Sequence, residues 1–282
     1  MGLTLCRWLC DNPHESQNIP LSSSPFLPLS VVPPVRLAIL LDMPPVAPGD
    51  LRSQWSPTHR SPNLCVCASG TSVCRPRVER SSDAAQSAVG VSTGLHVWQI
   101  CWEEGQRGSH ALVGVSTGKC LLQMSGYTAL VGGDSCSWGW ELSTCQLWHG
   151  GEKVGMYPAG GARQSLKVPE RVLVVVDADA GMLGYVIGDC FLGEAFRDLP
   201  SGAELFPAVS CVWGGATIHL RYLNGLKREA PSLLSLSRLT VRQSLGWDKG
   251  TQTQCPALPL SLERLLLASD RTCSINERKT LL

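Results

Sequence analysis

Two serines have the type and spacing that could carry out nucleophilic chemistry. The motif Gly-Val-Ser-Thr-Gly occurs at residues 90–94 and again at 114–118, so Ser92 and Ser116 each match G-x-S-x-G. In α/β-hydrolases this motif raises a nucleophilic serine on a tight turn between a strand and a helix. The first copy is followed by a strand-like run and the second by no helix of useful length. We therefore predict that both copies are turns, and that the chain has no catalytic residue and is not an enzyme.

The possible metal ligands lack the spacing of a metal site. None of the thirteen cysteines forms a C-x-x-C pair, and the six histidines are scattered. DADAG (177–181) begins like a calcium loop but lacks the third oxygen ligand and the closing glutamate, so it predicts a hairpin turn. Cysteines within apolar runs such as CVC (65–67) and VSCVW (209–213) are interpreted as small core residues in a reducing compartment. We expect no metal and no cofactor.

Charge and hydropathy exclude two classes of partner. The net charge is +1, so no strong field attracts the 282-residue chain to nucleic acid or to an anionic bilayer. Prolines and Arg36 interrupt the apolar segment 26–41, which therefore does not read as a membrane span. These features indicate a soluble protein of the cytosol that binds neither nucleic acid nor membrane.

The pattern of the chain predicts a mostly β fold. Between Leu95 and Tyr222, short β-branched or aromatic runs alternate with turn signals about every ten residues, which is typical of an antiparallel β-sandwich. Residues 47–92 are polar and irregular, with only short strand-like pieces. Helical patterns are predicted over three stretches, namely 36–43 before Pro44, 232–246 and 256–268.

Several motifs together resemble the SPRY domain- and SOCS box-containing protein family. The resemblance implies a SPRY-type antiparallel β-sandwich followed by a small α-helical SOCS box. It divides the chain into a disordered lead-in (1–35), a SPRY (B30.2-like) domain with its N-terminal extension (36–226), a SOCS box (230–270) and a C-terminal extension (271–282). The motifs are RLAILLDMPPV (36–46), GLHVWQICW (94–102), QRGSHALVGVST (106–117), GYTALVG (126–132), SWGWEL (137–142) and the runs 168–199 and 205–226.

The resemblance implies an adaptor function. In this family the loops at one end of the sandwich bind an Asp/Glu-Ile/Leu-Asn-Asn-Asn peptide of a target such as inducible nitric oxide synthase or a pro-apoptotic regulator. Asparagine side chains carry both donors and acceptors, so such a peptide is recognised mainly through hydrogen bonds. The positions that match the family's peptide contacts are Arg75, Gly108, Ser109, Tyr127, Leu130, Val212, Trp213 and Gly214.

One wall of the family's peptide groove is altered here. The family pattern R-x-P-V-A-Q-S-T-D becomes Arg-Pro-Arg-Val-Glu-Arg-Ser-Ser-Asp at residues 75–83. Arg75 and Val78 carry over, whereas the proline, alanine and glutamine are replaced. A glutamate adds bulk and negative charge that opposes an acidic peptide end, and a neighbouring arginine offsets that charge. We expect altered specificity or weakened binding. The replacing residues are Arg77, Glu79 and Arg80.

The C-terminal helices resemble a SOCS box, which in this family recruits elongin B/C and cullin-5 with its RING partner. Leu233, Ser237 and Val241 lie at the elongin-binding positions, and their spacing of four places them on one helical face. The cullin-contacting L-P-L-P motif is half retained, as Leu258 and Pro259. Two alternatives remain: a SPRY peptide-binding module without ligase coupling, and a pair of helices that only packs against the sandwich.

Overall fold

Two antiparallel sheets form the protein, as the sequence predicts. A computed structural model describes residues 24–47, 49–160, 166–212 and 214–245. The first sheet contains β1 (Trp55–Arg60), β4 (Ser81–Ser87), β6 (Leu112–Ser116), β7 (Gln123–Ser125), β8 (Ser137–Glu141), β9 (Gln146–His149), β10 (Glu152–Met156) and β14 (Phe206–Val212). Its strand order is β1-β4-β14-β6-β8-β9-β10, and the short β7 pairs with β4.

The second sheet completes the sandwich. It contains β2 (Cys65–Val66), β3 (Ser72–Arg75), β5 (Leu95–Trp102), β11 (Arg171–Asp177), β12 (Met182–Ile187), β13 (Cys190–Phe196) and β15 (Ala216–Leu226). The order is β13-β12-β11-β5-β15-β3-β2, so β5 lies centrally and β2 is at an edge. The predicted hairpin turn at residues 177–181 connects β11 and β12.

Aromatic side chains fill the space between the sheets. Trp98, Ile100 and Trp102 occupy alternate positions of β5 and all point into the core, and Trp140 enters from the other sheet. The Tyr185 hydroxyl donates a hydrogen bond of 2.8 Å to the carbonyl oxygen of Val113, which joins the two sheets. Because a buried tyrosine hydroxyl needs a partner, this bond fixes how the sheets are aligned.

A short helix covers the outer face of the second sheet. Helix α1 (Val35–Asp42) lies within one residue of its predicted bounds and ends before Pro44, which cannot continue a helix. Its buried residues Leu37 and Leu40 pack on an apolar patch of β5 and β11. The described C-terminal element is helix α2 (Leu233–Leu245), which confirms the predicted helix. No helix within the described ranges is long and apolar enough to cross a bilayer.

Residues 47–92 contain short strands, as the sequence predicts, but they are less irregular than expected. Four strands, β1 to β4, lie there, and every residue of β4 is buried. The sequence of β4, SSDAAQS, consists of residues with low strand propensity. Pairing with β1, β7 and β14 and side-chain hydrogen bonds stabilise the strand instead. These long-range interactions cannot be predicted from the local sequence pattern.

The second Gly-Val-Ser-Thr-Gly copy is also not a turn. Gly114 to Ser116 belong to β6, and Ser116 is fully buried, with its hydroxyl accepting a hydrogen bond from Gln86 at 2.8 Å. Gly114 is required by a close approach, since a Cβ there would lie 1.8 Å from the Trp138 carbonyl oxygen. The first copy is a bend before β5, as predicted.

Two further segments differ from the sequence analysis. Within the predicted disordered lead-in, Phe26 is buried in the core and the Val31 amide donates to the carbonyl oxygen of Phe191 at 2.8 Å. Residues 1–23 lie outside the described residues. The CVC run, interpreted as core, begins at the edge strand β2, where Cys65 is exposed. An apolar run therefore does not guarantee burial at a sheet edge.

Candidate peptide-binding end and partner-binding helix

Several strand ends meet at one end of the sandwich. Arg75 at the end of β3 pairs with Ala216 at the start of β15, and Val212 at the end of β14 pairs with Ser82 near the start of β4. Strand β6 begins beside the last residues of β14, so the loop before it opens at the same end. The ladder thereby gathers the predicted contact loops, which are far apart in sequence.

A buried ion pair holds these loops together. The Arg75 guanidinium lies 2.7 Å from the Asp83 carboxylate, and their side chains are 1% and 0% exposed. The same guanidinium donates to the carbonyl oxygens of Gly214 at 2.9 Å, Val78 at 3.1 Å and Ser81 at 2.9 Å. Arg75 therefore connects the 76–80 loop to the loop after β14, and its side chain is turned away from solvent.

The Asp83 carboxylate is bound on every side. It accepts hydrogen bonds from the hydroxyls of Ser61 at 2.6 Å and Ser81 at 3.0 Å, and from the Asn63 amide at 2.9 Å. Burial by itself raises the pKa of Asp83, but these hydrogen bonds and the Arg75 guanidinium together hold it below its usual value. The sequence analysis did not identify Asp83 as part of the site, because it lies within the unrecognised strand β4.

Tyr127 stands at the rim of this end. Its side chain is 46% exposed, and its hydroxyl accepts a hydrogen bond of 3.1 Å from the backbone amide of Arg80. Arg80 has a left-handed backbone with φ of 54°, and its carbonyl oxygen accepts from the Gly126 amide at 2.8 Å. These two bonds join the 76–80 loop to the loop that carries Tyr127, and they leave the aromatic ring accessible to a ligand.

Helix α2 has one buried and one exposed face. Arg238 and Arg242 are buried, and the Arg242 guanidinium forms an ion pair with Asp42 at the end of α1. On the other side Leu233 is 83% exposed, the largest exposed fraction among the large hydrophobic residues described. The Ser232 hydroxyl caps the first turn by accepting from the Ser235 amide at 3.1 Å.

Comparison with known proteins identifies the family. Residues 95–222 match the SPRY domain model. Over 253 residues, 87% of this chain and 96% of the relative, the chain is 44% identical to human SPRY domain-containing SOCS box protein 2. It is 42% identical to human SPRY domain-containing SOCS box protein 1 over 83% of this chain and 87% of that protein. The chain belongs to the SPRY domain-containing SOCS box protein family.

A more distant family relative is protein gustavus of Drosophila melanogaster, 39% identical over 85% of this chain and 88% of that protein. The motifs YPAG (157–160), VPERVLVV (168–175) and SRLTVR (237–242) indicate member 2 as the nearest type. The higher identity to member 2 confirms this, with member 1 close behind.

In this family member, most of the predicted peptide-contact positions lie at one end of the sandwich. The side chains at some of these positions are buried. Among the contact positions that the structure describes, the side chains of Tyr127 and Ser109 reach the surface. Gly108 and Gly214 have positive φ values of 55° and 77°, and the Gly214 carbonyl oxygen accepts the hydrogen bond from Arg75. Trp213 lies outside the described residues, and the predicted contact residues with buried side chains are Arg75, Leu130 and Val212.

The altered wall residues of this family member lie at the surface. Arg77, Glu79 and Arg80 are all exposed. They lie in the loop whose Val78 carbonyl oxygen accepts a hydrogen bond from the buried Arg75. Their charges are therefore directed to solvent and to any ligand rather than into the core. The replaced positions change the chemistry of the rim without removing the buried support beneath it.

The predicted elongin-binding residues share the outward face of α2. Leu233 and Ser237 are exposed, and Val241 is partly exposed. The face is thus apolar at both ends and open along its length. The predicted cullin-binding residues, Leu258 and Pro259, lie outside the described residues, as does the second predicted SOCS box helix.

Proposed function

We propose that this chain is the substrate-recognition subunit of an elongin B/C–cullin-5 ubiquitin ligase. The SPRY domain, residues 36–226, would bind an Asp/Glu-Ile/Leu-Asn-Asn-Asn peptide in targets such as inducible nitric oxide synthase. The SOCS box, residues 230–270, would recruit elongin B/C and cullin-5 with its RING partner. The bound target would then be ubiquitinated and degraded by the proteasome, while this chain itself catalyses nothing.

The observation that carries the proposal is the exposure of Leu233 on an anchored helix. Leu233 and its neighbour Leu234 are 83% and 42% exposed, and adjacent exposed apolar side chains of this kind favour a docking surface. Arg242 holds the opposite face of α2 against α1, so the helix presents this leucine in a fixed direction. Leu233, Ser237 and Val241 then form a single stripe that fits the hydrophobic groove of a partner.

The peptide-binding end supports the other half of the proposal. An asparagine-rich peptide needs donors and acceptors held in place before it arrives, because each ordered loop otherwise reduces the affinity. The buried guanidinium of Arg75 fixes the carbonyls of Val78 and Gly214, and Tyr127 offers an aromatic surface beside them. The exposed charges of the altered wall are expected to shift the preferred residues that flank the asparagines.

The proposed location is the cytosol, with protein partners and no nucleic acid, membrane, metal or cofactor. All nine cysteines of the described residues are free thiols, which is typical of a reducing compartment. The net charge of +1 gives the chain no general attraction to polyanions.

Reconstituted ubiquitination tests the proposal. The full chain is combined with elongin B/C, cullin-5 and its RING partner, together with a carrier protein that ends in Asp-Ile-Asn-Asn-Asn. We expect ubiquitin on this carrier and none on a matched carrier whose asparagines are replaced by alanine. Peptide binding without elongin capture would instead establish the simpler SPRY binding module. Equal modification of both carriers would contradict peptide recognition.

A further inference from the structure

Two cysteines face each other across the edge hairpin of the second sheet. Cys65 of β2 and Cys74 of β3 are directly paired in an antiparallel ladder. Residues directly opposite each other in such a ladder project from the same face of the sheet. Cys65 is exposed and Cys74 is half-buried, so small reactants reach this pair from solvent.

The ladder sets a separation that suits a disulfide. Directly opposed residues of an antiparallel pair have Cα atoms roughly 4.5 to 5.5 Å apart, whichever type of pair they form. Disulfides join cysteines whose Cα atoms are about 4.4 to 6.8 Å apart. Cys65 and Cys74 therefore need little backbone movement to bond. The pairing is also local, since only eight residues separate the two positions along the chain.

We propose that Cys65 and Cys74 form a thiol-oxidation site. Reaction with a small-molecule disulfide such as oxidised glutathione would join these two cysteines to each other in a disulfide. One cysteine thiolate attacks a sulfur of the oxidant, which releases one glutathione thiolate and leaves a mixed disulfide. The second cysteine thiolate attacks the mixed disulfide at the protein sulfur and releases the second glutathione. The protein pair loses two electrons and two protons, and the oxidant gains them as two glutathione thiols.

Cys67, a neighbouring cysteine, has an acidic thiol but lacks the paired position of Cys65 and Cys74. Cys67 projects next to the same edge, but the Ser72 amide binds its sulfur at 3.3 Å and the Ser69 hydroxyl lies 3.0 Å from that sulfur. Slight burial raises its pKa, and these hydrogen bonds outweigh that effect and lower the pKa to about 6. Cys67 is therefore readily ionised at neutral pH, yet the β2–β3 ladder pairs Cys65, and not Cys67, with Cys74.

The position of the pair is independent of the adaptor proposal. The hairpin lies at the edge of the second sheet, and the residue after Cys74 is Arg75, which fixes the loops of the peptide-binding end. A disulfide here would tie β2 to the strand that carries this arginine. Since the site depends only on the β2–β3 register, it stands or fails separately from elongin and peptide binding.

Mass spectrometry of the full chain tests the inference. The reduced protein is treated with oxidised glutathione, its remaining thiols are blocked with N-ethylmaleimide, and its proteolytic fragments are analysed without reduction. We expect a fragment in which Cys65 and Cys74 are cross-linked, which dithiothreitol removes. The Cys67→Ser variant should form the same cross-link to the same extent.

The cysteine variants supply the contrast. Cys65→Ser should abolish the cross-link, and because this side chain is exposed the variant should keep the thermal unfolding midpoint of the parent. Cys74→Ser should give the same loss. The inference is overturned if N-ethylmaleimide blocks both Cys65 and Cys74 in the treated parent protein, whether or not Cys67 carries glutathione. It is equally overturned if either cysteine is cross-linked to a different partner.

Discussion

Two arginine–aspartate pairs hold the two proposed binding regions, and they differ in how completely they are enclosed. Arg75 and Asp83 lie inside the sandwich, with side chains 1% and 0% exposed. Arg242 and Asp42 join α2 to α1, at 8% exposure each. The Arg75 guanidinium is hydrogen-bonded through all three nitrogens, whereas the Arg242 Nε atom is buried without a hydrogen-bond partner among the described residues.

The difference matches what the proposed function requires of each region. A peptide-binding end gains affinity when its loops are fixed before the ligand arrives, so a fully satisfied buried pair beneath them is useful. A helix that docks a partner needs only one fixed face, and its apolar face must stay open. Leu233 is exposed, as the docking proposal requires, while Arg242 is buried on the other side of the helix.

Breaking the sandwich pair should have the largest effect. Arg75→Met removes the guanidinium and leaves the Asp83 carboxylate buried without its counter-charge, which costs about 3–5 kcal/mol of the free energy of unfolding. Urea denaturation followed by tryptophan fluorescence measures this loss. The matched control, Arg77→Met, changes an exposed arginine of the adjacent loop and should shift the free energy by about 0.5 kcal/mol or less. Equal effects of the two variants would contradict the structural role of the pair.

Charging the exposed leucine should affect binding and not folding. Leu233→Glu should weaken elongin B/C binding by about 100-fold or more, because a buried leucine contributes about 1.5–3 kcal/mol and a buried carboxylate adds a desolvation cost. Calorimetric titration with elongin B/C measures the affinity. Gln243→Glu places the same charge at another exposed position of α2 and should leave binding nearly unchanged. If Leu233→Glu binds elongin as the parent does, the docking face lies elsewhere.

Breaking the helix pair should loosen α2 while the sandwich stays intact. Asp42→Asn removes the charge that Arg242 faces, which we expect to cost about 1–3 kcal/mol of local stability. Amide hydrogen exchange should accelerate along α2 and remain unchanged in β4 and β14. Uniform acceleration of exchange throughout the protein would show that α2 and the sandwich unfold together.

Acid should act on the sandwich pair through Asp83. Its pKa in the folded protein is below the unfolded value of about 3.9, so its contribution to stability is complete above that pH and is lost as the pH falls through the folded pKa. The free energy of unfolding should therefore fall below about pH 4 in the parent and fall less steeply in Asp83→Asn. Parallel pH profiles for the two proteins would contradict this contribution.

Removing the rim hydroxyl should have the smallest effect. Tyr127→Phe deletes the acceptor for the Arg80 amide, and since both groups are exposed to water we expect a change of about 0.5 kcal/mol or less in stability. Tyr127→Ala removes the ring as well and should weaken peptide binding clearly more than Tyr127→Phe does. Calorimetry with the Asp-Ile-Asn-Asn-Asn peptide gives both affinities. Identical affinities for the two variants would remove Tyr127 from the peptide site.

The sequence predicted those parts of the fold in which local pattern and tertiary environment agree. The β-branched and aromatic runs of β5 and β11 and the helical spacing of α2 are of this kind. Strand β4 was missed, because Ser and Ala residues favour a strand only when neighbouring strands and buried hydrogen bonds surround them. Ser116 was assigned to a turn for a related reason, since the close contact of Gly114 with β8 has no local signal.

The candidate site could be located but not fully described from the sequence. Resemblance to the family pointed to Arg75 and Tyr127, and the structure brings their loops to one end. The inward direction of the Arg75 side chain depends on Asp83, whose strand lies in the opposite sheet. An ion pair between two sheets has no characteristic spacing in the sequence. The role of Arg75 in supporting the loops is therefore visible only in the folded structure.

The central claim is that one molecule binds a peptide and elongin at separate places. Calorimetric titration of the Asp-Ile-Asn-Asn-Asn peptide into the chain alone, and into its complex with elongin B/C, tests this most directly. The account predicts one binding site of equal affinity in both titrations, because the loops fixed by Arg75 and the outer face of α2 are distinct surfaces. Absence of binding in both titrations, or loss of binding in the elongin complex, would contradict it.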